Sequence, residues 1–175
     1  MTGDSIQIRP ARIEDAGEFL QLVDALARYE NMPAPDAEAK ARLIEHLFGV
    51  RPHYGLLVAE HQGHLIGYAA HFLAYSTFVA KPTFYLEDLF VLPDFRELKV
   101  GHRLLLTCAR LAVAKNCGRM DFIVLDWNKL ALEFYERHGV SVKKEWLLHR
   151  LDAGGLQRLA AMPDAPDAHS CSSRT

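Results

Sequence analysis

The stretch FYLEDLFVLPDFRELKVG, residues 84–101, decides the fold of this chain. Its first part, 84–92, is apolar and β-prone apart from the adjacent acids Glu87 and Asp88, and this pattern predicts a buried strand. Pro93 ends the strand because proline has no N–H to donate to a ladder. A charged turn follows, and apolar residues recur at helical spacing after Gly101. The stretch is therefore predicted as a strand, a charged turn and a helix.

The turn between this strand and this helix suits an anion. The first turn of a helix carries unpaired backbone N–H groups and the positive end of the helix dipole, so it can hold a phosphate group. A charged surface turn that merely caps the helix is the alternative on spacing alone. The residues predicted to hold phosphate are Arg96, Leu98, Lys99, Val100, Gly101, His102 and Arg103.

The composition is that of an ordinary globular protein. Of the 175 residues, 50% are hydrophobic and 24% are charged, which fits one domain with a real core. The formal charge of −2 offers no basic field for nucleic acid, and no apolar run is long enough for a membrane span. The three cysteines and nine histidines lack metal-ligand spacing. We therefore expect a cytoplasmic protein with reduced thiols and no metal, nucleic-acid or membrane partner.

The other elements follow from hydrophobic periodicity and turn residues. His61-Gln62-Gly63 separates two strand-like runs and predicts a hairpin. Asp126 or Asn128 is the predicted N-cap of a helix that ends at Gly139. The predicted strands are 5–9, 54–60, 64–73, 84–92 and 120–125, with one bent or two short strands in 141–151. The predicted helices run from after Pro10 to about Glu30, over 37–48, from Gly101 toward Gly118, over 128–138 and over 156–162.

The order β-α-α-β-β-β-α-β-α-β predicts an α/β fold of the α+β kind. Hairpins supply antiparallel pairs and the crossover from 84 to 125 supplies a parallel pair, so we expect a mixed central sheet of about six to seven strands flanked by helices. Residues 1–162 are expected to form a single domain. The segment 163–175 is small and polar with nothing to bury, so we expect a disordered C-terminal tail.

The run Arg96-Glu97-Leu98-Lys99-Val100-Gly101 resembles the Arg/Gln-x-x-Gly-x-Gly/Ala pyrophosphate loop of the GNAT acetyltransferase superfamily. Lys99 stands where that family has its first glycine. The surrounding segments YLEDLFV (85–91), VLDWN (124–128) and EFYERHG (133–139) resemble, in order and spacing, the spermidine/spermine and thialysine acetyltransferase branch. The similarity runs from Ile8 to about Leu159.

This resemblance implies the GNAT fold and acetyl-CoA as the acetyl donor. It implies that CoA is bound by the turn described above and by the strand backbone at Leu89, Phe90 and Val91. Asn128 matches an asparagine that touches the pantetheine arm, although a helix N-cap is the other reading of that residue. Tyr135 matches the general acid that protonates the departing thiolate, whereas without the family an aromatic residue on a helix is more often core packing.

The acceptor side of the site rests on acids. In the polyamine-type relatives, acids at the positions of Glu87 and Asp88 bind the cationic acceptor, and the glutamate helps to remove its proton. Adjacent strand residues face opposite sides, and a charge on a buried strand is costly unless it is paired or functional. A salt bridge to Arg or Lys at the end of the sheet is therefore the alternative for both acids. Glu30 matches a further acceptor-site acid. Trp146 matches an aromatic residue near the acceptor, with a core role as the alternative.

Two departures from the relatives bear on ligands. The loop after Tyr75 continues as Ser76-Thr77-Phe78 and lacks the acid that the polyamine branch carries there, which argues for a small diamine, thialysine or a lysine-like amino acid rather than a long polycation. At Lys99 we expect ordinary helical dihedrals, with the side chain along the phosphates or toward solvent. The ammonium group then adds attraction to a pyrophosphate.

Together these residues favour an enzyme that transfers an acetyl group from acetyl-CoA to a small primary amine. Direct transfer in a ternary complex is expected because no cysteine has the surroundings of a nucleophile. The relatives in this branch are homodimers, and the apolar loop 75–79 is the candidate contact. A catalytically weak CoA-binding or regulatory module is the alternative that Lys99 prompts, and a protein-acetylating enzyme is the third reading.

Overall fold

The structure, a computed structural model, describes residues 6–163. The chain falls into two units, Met1–Leu125 and Asp126–Thr175. The elements of the first unit are β1 (Gln7–Pro10), α1 (Ala16–Tyr29), α2 (Ala37–Phe48), β2 (Gly55–His61), β3 (His64–Ser76), β4 (Lys81–Val91), α3 (Val100–Ala114) and β5 (Arg119–Asp121), with short 3-10 helices at Ile13–Asp15 and Pro93–Leu98.

The sheet has the strand order β1-β2-β3-β4-β5. The pairs from β1 to β4 are antiparallel and the β4–β5 pair is parallel, so the predicted mixed sheet is confirmed. The predicted hairpin joins β2 to β3 through Gln62 and Gly63, whose φ angles are 52° and 82°. Positive φ at both central residues matches the twist of the flanking strands, which is why a glycine belongs there.

One face of the sheet packs against α1. Phe19 and Leu22, three residues apart on α1, point at the sheet, and the Phe19 ring meets the Tyr68 ring edge-on at 5.2 Å. Full burial of each such side chain stabilises the fold by about 1.5–3 kcal/mol. The buried cluster on this face consists of Phe19, Leu22, Leu47, Leu56, Val58, Leu65, Tyr68, Ala70 and Phe90.

Helix α3 also packs on the sheet. Val100, Leu104 and Cys108 recur every four residues along one side of this helix and are fully buried. The helix contacts β3 and β4. This packing fixes the start of α3, and with it the turn before it, close to the end of β4.

A β-bulge interrupts β4. Ala70 pairs with Asp88 and the next residue, His71, pairs with Leu86, so Glu87 has no partner on β3. An extra residue of this kind breaks the alternation of side chains between the two faces. Asp88 consequently lies on the α1 face with Tyr68 and Ala70, whereas Leu86 lies on the opposite face. The sequence pattern of 84–92 predicts an unbroken strand, so the bulge was not predicted.

The expectation of six to seven strands is wrong, because the sheet in residues 6–163 has five. The segment 141–151 forms no ladder there. A turn occupies its charged centre, with the Trp146 N–H donating to the Lys143 carbonyl at 3.2 Å. The strand predicted at 120–125 is also shorter, because its pairing with β4 stops just before the bulge.

The second unit contains α4 (Lys129–Glu136) and α5 (Ala153–Ala160). The Asn128 side chain accepts a hydrogen bond from the Ala131 N–H at 3.1 Å, so its predicted N-cap role is confirmed. Gly139 follows α4 with a φ of 75°, as a helix stop requires. Helix α5 begins earlier than predicted because Asp152 caps it through the Gly155 N–H. The predicted tail lies outside the described residues beyond position 163.

Candidate active site

Strand β4 has one paired edge and one edge that is largely open. Strand β3 pairs with it from Lys81 to Val91. On the other edge the ladder with β5 covers only Thr83, Phe84 and Tyr85. Within residues 6–163, the backbone of 86–91 therefore lacks a strand partner on the β5 side. Backbone groups on such an edge can bind an extended ligand.

The alternation of hydrogen-bonded positions along β4 shows which backbone groups point toward this edge. The Leu92 N–H donates to the Ile66 carbonyl at 2.9 Å, and Leu92 lies opposite Ile66 in the register. In an antiparallel pair such positions alternate, so Phe90 bonds toward β3 while Leu89 and Val91 direct their N–H and C=O groups away from it. The three strand residues predicted to bind the cofactor therefore differ in the direction of their backbone groups. Those of Leu89 and Val91 point to the open edge, whereas those of Phe90 point to β3 and its side chain is buried in the core.

Two acids lie at the bulge, immediately before these residues. Glu87 is exposed, and Asp88 is partly buried on the α1 face. The Tyr68 hydroxyl donates to Asp88 Oδ2 at 3.3 Å. Neither acid forms an ion pair with a Lys or Arg in the described part of the chain. The alternative of a structural salt bridge at the sheet end therefore finds no support in the structure.

The electrostatics of this place favour a cation. Burial and the like charges of Glu87 and Glu30 raise the pKa of Asp88 to about 6, while the hydrogen bond from Tyr68 acts in the opposite direction. Burial also raises the pKa of Glu30, which directly follows α1. The structure thus brings together the three acids predicted for the acceptor. An ammonium group between them would offset both the burial and the mutual repulsion.

The predicted phosphate loop consists of the 3-10 helix Pro93–Leu98, Lys99 and the start of α3. Lys99 is the N-cap of α3, with φ 57° and ψ 24°, and its side chain is exposed. The expectation of ordinary helical dihedrals at Lys99 is wrong, because the residue is left-handed. Glycine adopts such a left-handed backbone at no steric cost, whereas a residue with a Cβ does so at a cost.

The first turn of α3 is suited to a negative ligand. It contains no acidic residue, and the N-cap side chain makes no capping hydrogen bond in the described structure. Val100 is fully buried and anchors the turn, whereas Leu98 and Arg103 are exposed beside it. Gly101 and His102, which complete the turn, are partly buried. Helix N-termini of this kind hold phosphate groups through backbone N–H groups and the helix dipole.

Arg96 is engaged with protein groups in the structure. Its Nε donates to the Val91 carbonyl at 3.2 Å, and its guanidinium lies over the Tyr29 ring at 4.6 Å. A planar guanidinium can stack on an aromatic ring and donate at its edge at the same time. Arg96 therefore ties the phosphate loop to β4 and to the end of α1.

The second unit carries the remaining predicted residues. Tyr135 is partly buried on α4, with its ring 5.1 Å from the Phe134 ring. Asn128 precedes the same helix as its cap. Trp146 is 75% exposed, so it does not have the core role that was the alternative for this residue.

Two tyrosines that were not predicted as site residues, Tyr68 and Tyr54, lie close to Asp88. Tyr68 is fully buried in the core cluster, and burial and the charge of Asp88 raise its pKa well above the usual range. Burial and Asp88 raise the pKa of Tyr54 to about 12, and its hydroxyl donates to the Leu43 carbonyl at 2.9 Å. No sequence signal pointed to either residue, because the bulge at Glu87 places Asp88 on the face of Tyr68.

No group of His, Cys, Asp or Glu in residues 6–163 is placed to hold a metal ion. No helix in that range has both the length and the apolar character needed to cross a membrane.

Known proteins agree with the fold and the motifs. The model of the acetyltransferase (GNAT) family matches residues 19–140. Thialysine N-epsilon-acetyltransferase from Mus musculus is 32% identical over 167 residues, which cover 89% of this chain and 98% of that protein. Spermidine/spermine N(1)-acetyltransferase-like protein 1 from Homo sapiens is 30% identical over 167 residues, which cover 90% of this chain and 24% of that protein.

The fold also matches a solved structure. The aminoglycoside N-acetyltransferase AAC(6')-Iy in complex with CoA superposes with a TM-score of 0.70 at 21% identity, over 86% of this chain and 97% of that one. At this identity the likeness concerns the fold alone. The family match and the mouse relative carry the identification: this chain belongs to the GNAT acetyltransferase family and is an N-acetyltransferase.

Proposed function

We propose that this N-acetyltransferase moves the acetyl group of acetyl-CoA to a small primary amine, such as a diamine, thialysine or a lysine-like amino acid. The observation that carries the proposal is the acidic cluster of Glu30, Glu87 and Asp88 at the bulge of β4. The open backbone edge at Leu89 and Val91 follows within a few residues on the same strand. One strand thus offers carboxylates for a cation and N–H groups for a thioester.

The proposed reaction is a direct transfer in a ternary complex. The amine nitrogen attacks the thioester carbonyl, so a C–N bond forms and the C–S bond breaks. The Leu89 N–H stabilises the developing oxyanion. Glu87, which is exposed, takes the amine proton directly or through water. Tyr135 gives its proton to the departing thiolate, a role taken from the family match.

The proposed CoA site lies in the first unit. The loop from Arg96 to Arg103 holds the pyrophosphate, and Leu89 and Val91 direct backbone groups toward the pantetheine arm. Asn128 is assigned to that arm from the family resemblance alone. The family model extends over 19–140 and so spans the boundary at 125/126, which supports the prediction that 1–162 form a single domain.

The acceptor is proposed to be short. Residues 77–80 form the turn between β3 and β4, and they carry no acid. Without an anchor there, a second or third ammonium group of a long polyamine gains little, since each exposed ion pair contributes only about 0–1 kcal/mol. The mouse relative is named for thialysine, an amine of the short class.

An amine panel with acetyl-CoA, read by thiol release, tests this function. We expect putrescine, 1,3-diaminopropane, thialysine and lysine to be acetylated with a higher kcat/KM than spermine. Glu87→Gln is the matched variant, because it keeps the size of the side chain and removes its charge. Transfer to none of these amines by a folded protein that binds CoA would refute the proposal.

A second candidate function is a weak CoA-binding or regulatory module. The observation that favours it is Lys99, a residue with a long side chain and a left-handed backbone, where the GNAT motif has glycine. Calorimetry with CoA, combined with the amine panel, separates the two candidates. Binding together with turnover supports the enzyme, and binding without turnover on any amine supports the module.

We also propose a homodimer in the cytoplasm, both of which stay predictions. Tyr75 and Phe78, at the tip of the β3–β4 hairpin, are 66% and 98% exposed, which is unusual for aromatic side chains unless a partner covers them. Sedimentation of the protein and of Phe78→Ser tests the contact. A monomer at every concentration would contradict it.

A further inference from the structure

Tyr68 is fully buried, and its hydroxyl contacts Asp88 of the acidic cluster. Its ring packs among Phe19 and Phe90, with ring centres 5.2 Å and 6.3 Å away. The ring is therefore held by the core, and the hydroxyl has a fixed position at the edge of that core. From that position it donates to Asp88 Oδ2 across the β3–β4 pair.

The bulge makes this contact possible. With unbroken alternation from Leu86, Asp88 would lie on the same face as Leu86 and away from Tyr68. The extra residue Glu87 turns Asp88 onto the face where the Tyr68 hydroxyl points. Irregular pairing in β4 and a buried hydroxyl in β3 thus act on one carboxylate.

The carboxylate needs such a partner. Burial and the charges of Glu87, on the same strand, and Glu30, after α1, all disfavour its ionised form. Tyr54, which precedes β2, feels the charge of Asp88 but donates its own hydroxyl to the Leu43 carbonyl. Tyr68 is the group on the packed elements that acts the other way, because its hydrogen bond stabilises the ionised carboxylate.

We propose that Tyr68 is a positioning residue for the amine acceptor: its hydroxyl orients the Asp88 carboxylate and keeps it available to an ammonium group. This inference rests on the proposed function, since it assumes that Asp88 meets the acceptor. It adds a residue from the core to a site that otherwise consists of the acids themselves. A purely structural Tyr68 would serve the core through its ring alone.

The variant Tyr68→Phe separates these roles, because it keeps the ring and removes only the hydroxyl. We expect the acceptor KM near pH 6.5 to rise by about tenfold, the effect of losing one hydrogen bond to a charged group. The acid limb of kcat/KM for the acceptor should move to higher pH by about one unit. The KM for acetyl-CoA should stay the same.

Two further variants complete the test. Tyr54→Phe, which removes a hydroxyl bonded to a backbone carbonyl, should leave the acid limb in place. In an Asp88→Asn background, Tyr68→Phe should cause no further shift of the acid limb, because the group that it tunes is gone. An unchanged acid limb and acceptor KM in Tyr68→Phe alone would overturn the proposal.

A readout without turnover keeps this inference distinct from the proposed function. The carboxyl carbon of Asp88 can be titrated by 13C NMR in the wild type and in Tyr68→Phe. A higher pKa of Asp88 in the variant supports the link even if none of the tested amines is acetylated, in which case the proposed function fails alone. An equal pKa in both proteins overturns the link whatever the amine panel shows.

Discussion

The guanidinium of Arg96 lies 4.6 Å from the centre of the Tyr29 ring. Arg96 belongs to the 3-10 helix of the phosphate loop, and Tyr29 is the last residue of α1, next to Glu30. The same guanidinium donates to the Val91 carbonyl at the open edge of β4. One side chain therefore joins the loop proposed to hold CoA to the end of α1, next to the acids proposed to hold the acceptor.

Arg96→Lys is expected to weaken CoA binding although it preserves the charge. A lysine cannot stack a planar group on Tyr29 while donating to Val91, and such stacking contributes about 0.5–2 kcal/mol. Calorimetry should therefore show the Kd for CoA rising by about two- to thirtyfold. Tyr29→Leu should weaken binding in the same direction. If Arg96→Lys binds CoA as the wild type does, Arg96 acts through its charge on the phosphates and not through the loop.

Glu87→Gln is expected to impair use of the acceptor more than binding of acetyl-CoA. A carboxylate attracts an ammonium group and accepts its proton, and the amide does neither. Steady-state kinetics with each substrate varied in turn should show a lower kcat/KM for the amine, with the acetyl-CoA KM little changed. An unchanged acceptor KM together with an unchanged pH–rate profile would count against Glu87 as the base.

Asp88→Asn is expected to stabilise the fold while it harms the reaction. A carboxyl whose pKa is raised by folding holds its proton more tightly in the folded chain. It therefore lowers the free energy of unfolding as pH rises from the pKa of the unfolded chain toward the pKa of about 6 in the folded chain. The variant should therefore gain about 1–3 kcal/mol in the free energy of unfolding at pH 8, and the gain should fade toward pH 4.

Urea unfolding at pH 8, 6 and 4 measures this gain. Glu87→Gln is the comparison, because the exposed Glu87 side chain acts on Asp88 only through its charge, so its gain in stability should be smaller. A constant difference between Asp88→Asn and the wild type across this pH range would show that folding does not perturb the Asp88 carboxyl.

The sequence predicted best what local signals determine. Helix α2 has the predicted bounds, because Asp36 caps it and its apolar residues follow one face. The β2–β3 hairpin and the Asn128 cap were also predicted from a few adjacent residues. The missing strand in 141–151 shows the opposite case. Its residues are β-prone in part, but a ladder needs a distant partner that the pattern does not name.

The site residues show the same contrast between local signals and contacts that join distant residues. The acids and the phosphate loop were predicted from motifs, and their roles stay predictions. The contact between Tyr68 and Asp88 was not predicted, because it joins residues on different strands and depends on the bulge at Glu87. The left-handed backbone of Lys99 was missed for a related reason, since the residue type there argues against that conformation and the loop around it imposes it.

Tyr135→Phe is expected to lower kcat by about 10²–10⁴-fold, the usual contribution of a positioned proton donor. The phenylalanine keeps the ring contact with Phe134, so the stability of the second unit and the CoA affinity should change little. Turnover and calorimetry on the same preparation measure both quantities. Turnover within a factor of about two of the wild type would make Tyr135 a packing residue and place the acid elsewhere.

Lys99→Gly is expected to stabilise the protein without improving CoA binding. A left-handed conformation costs a residue with a side chain about 1 kcal/mol relative to glycine. The free energy of unfolding of the variant should therefore rise by about that amount. Ala80→Gly is the matched control, because Ala80 has a φ of 53° in the β3–β4 turn and lies outside the phosphate loop.

The strain at Lys99 is present in the free protein, and it cancels from the Kd if the loop keeps this backbone when CoA binds. What Lys99→Gly changes in the Kd is then the ammonium group, which attracts the pyrophosphate. We therefore expect an equal or somewhat weaker affinity and a smaller dependence on salt, measured by calorimetry at two ionic strengths. Ala80→Gly should share the gain in stability and leave both binding quantities unchanged. A large gain in affinity on Lys99→Gly would mean instead that the lysine obstructs the loop, which would favour the reading of this chain as a weak CoA-binding module.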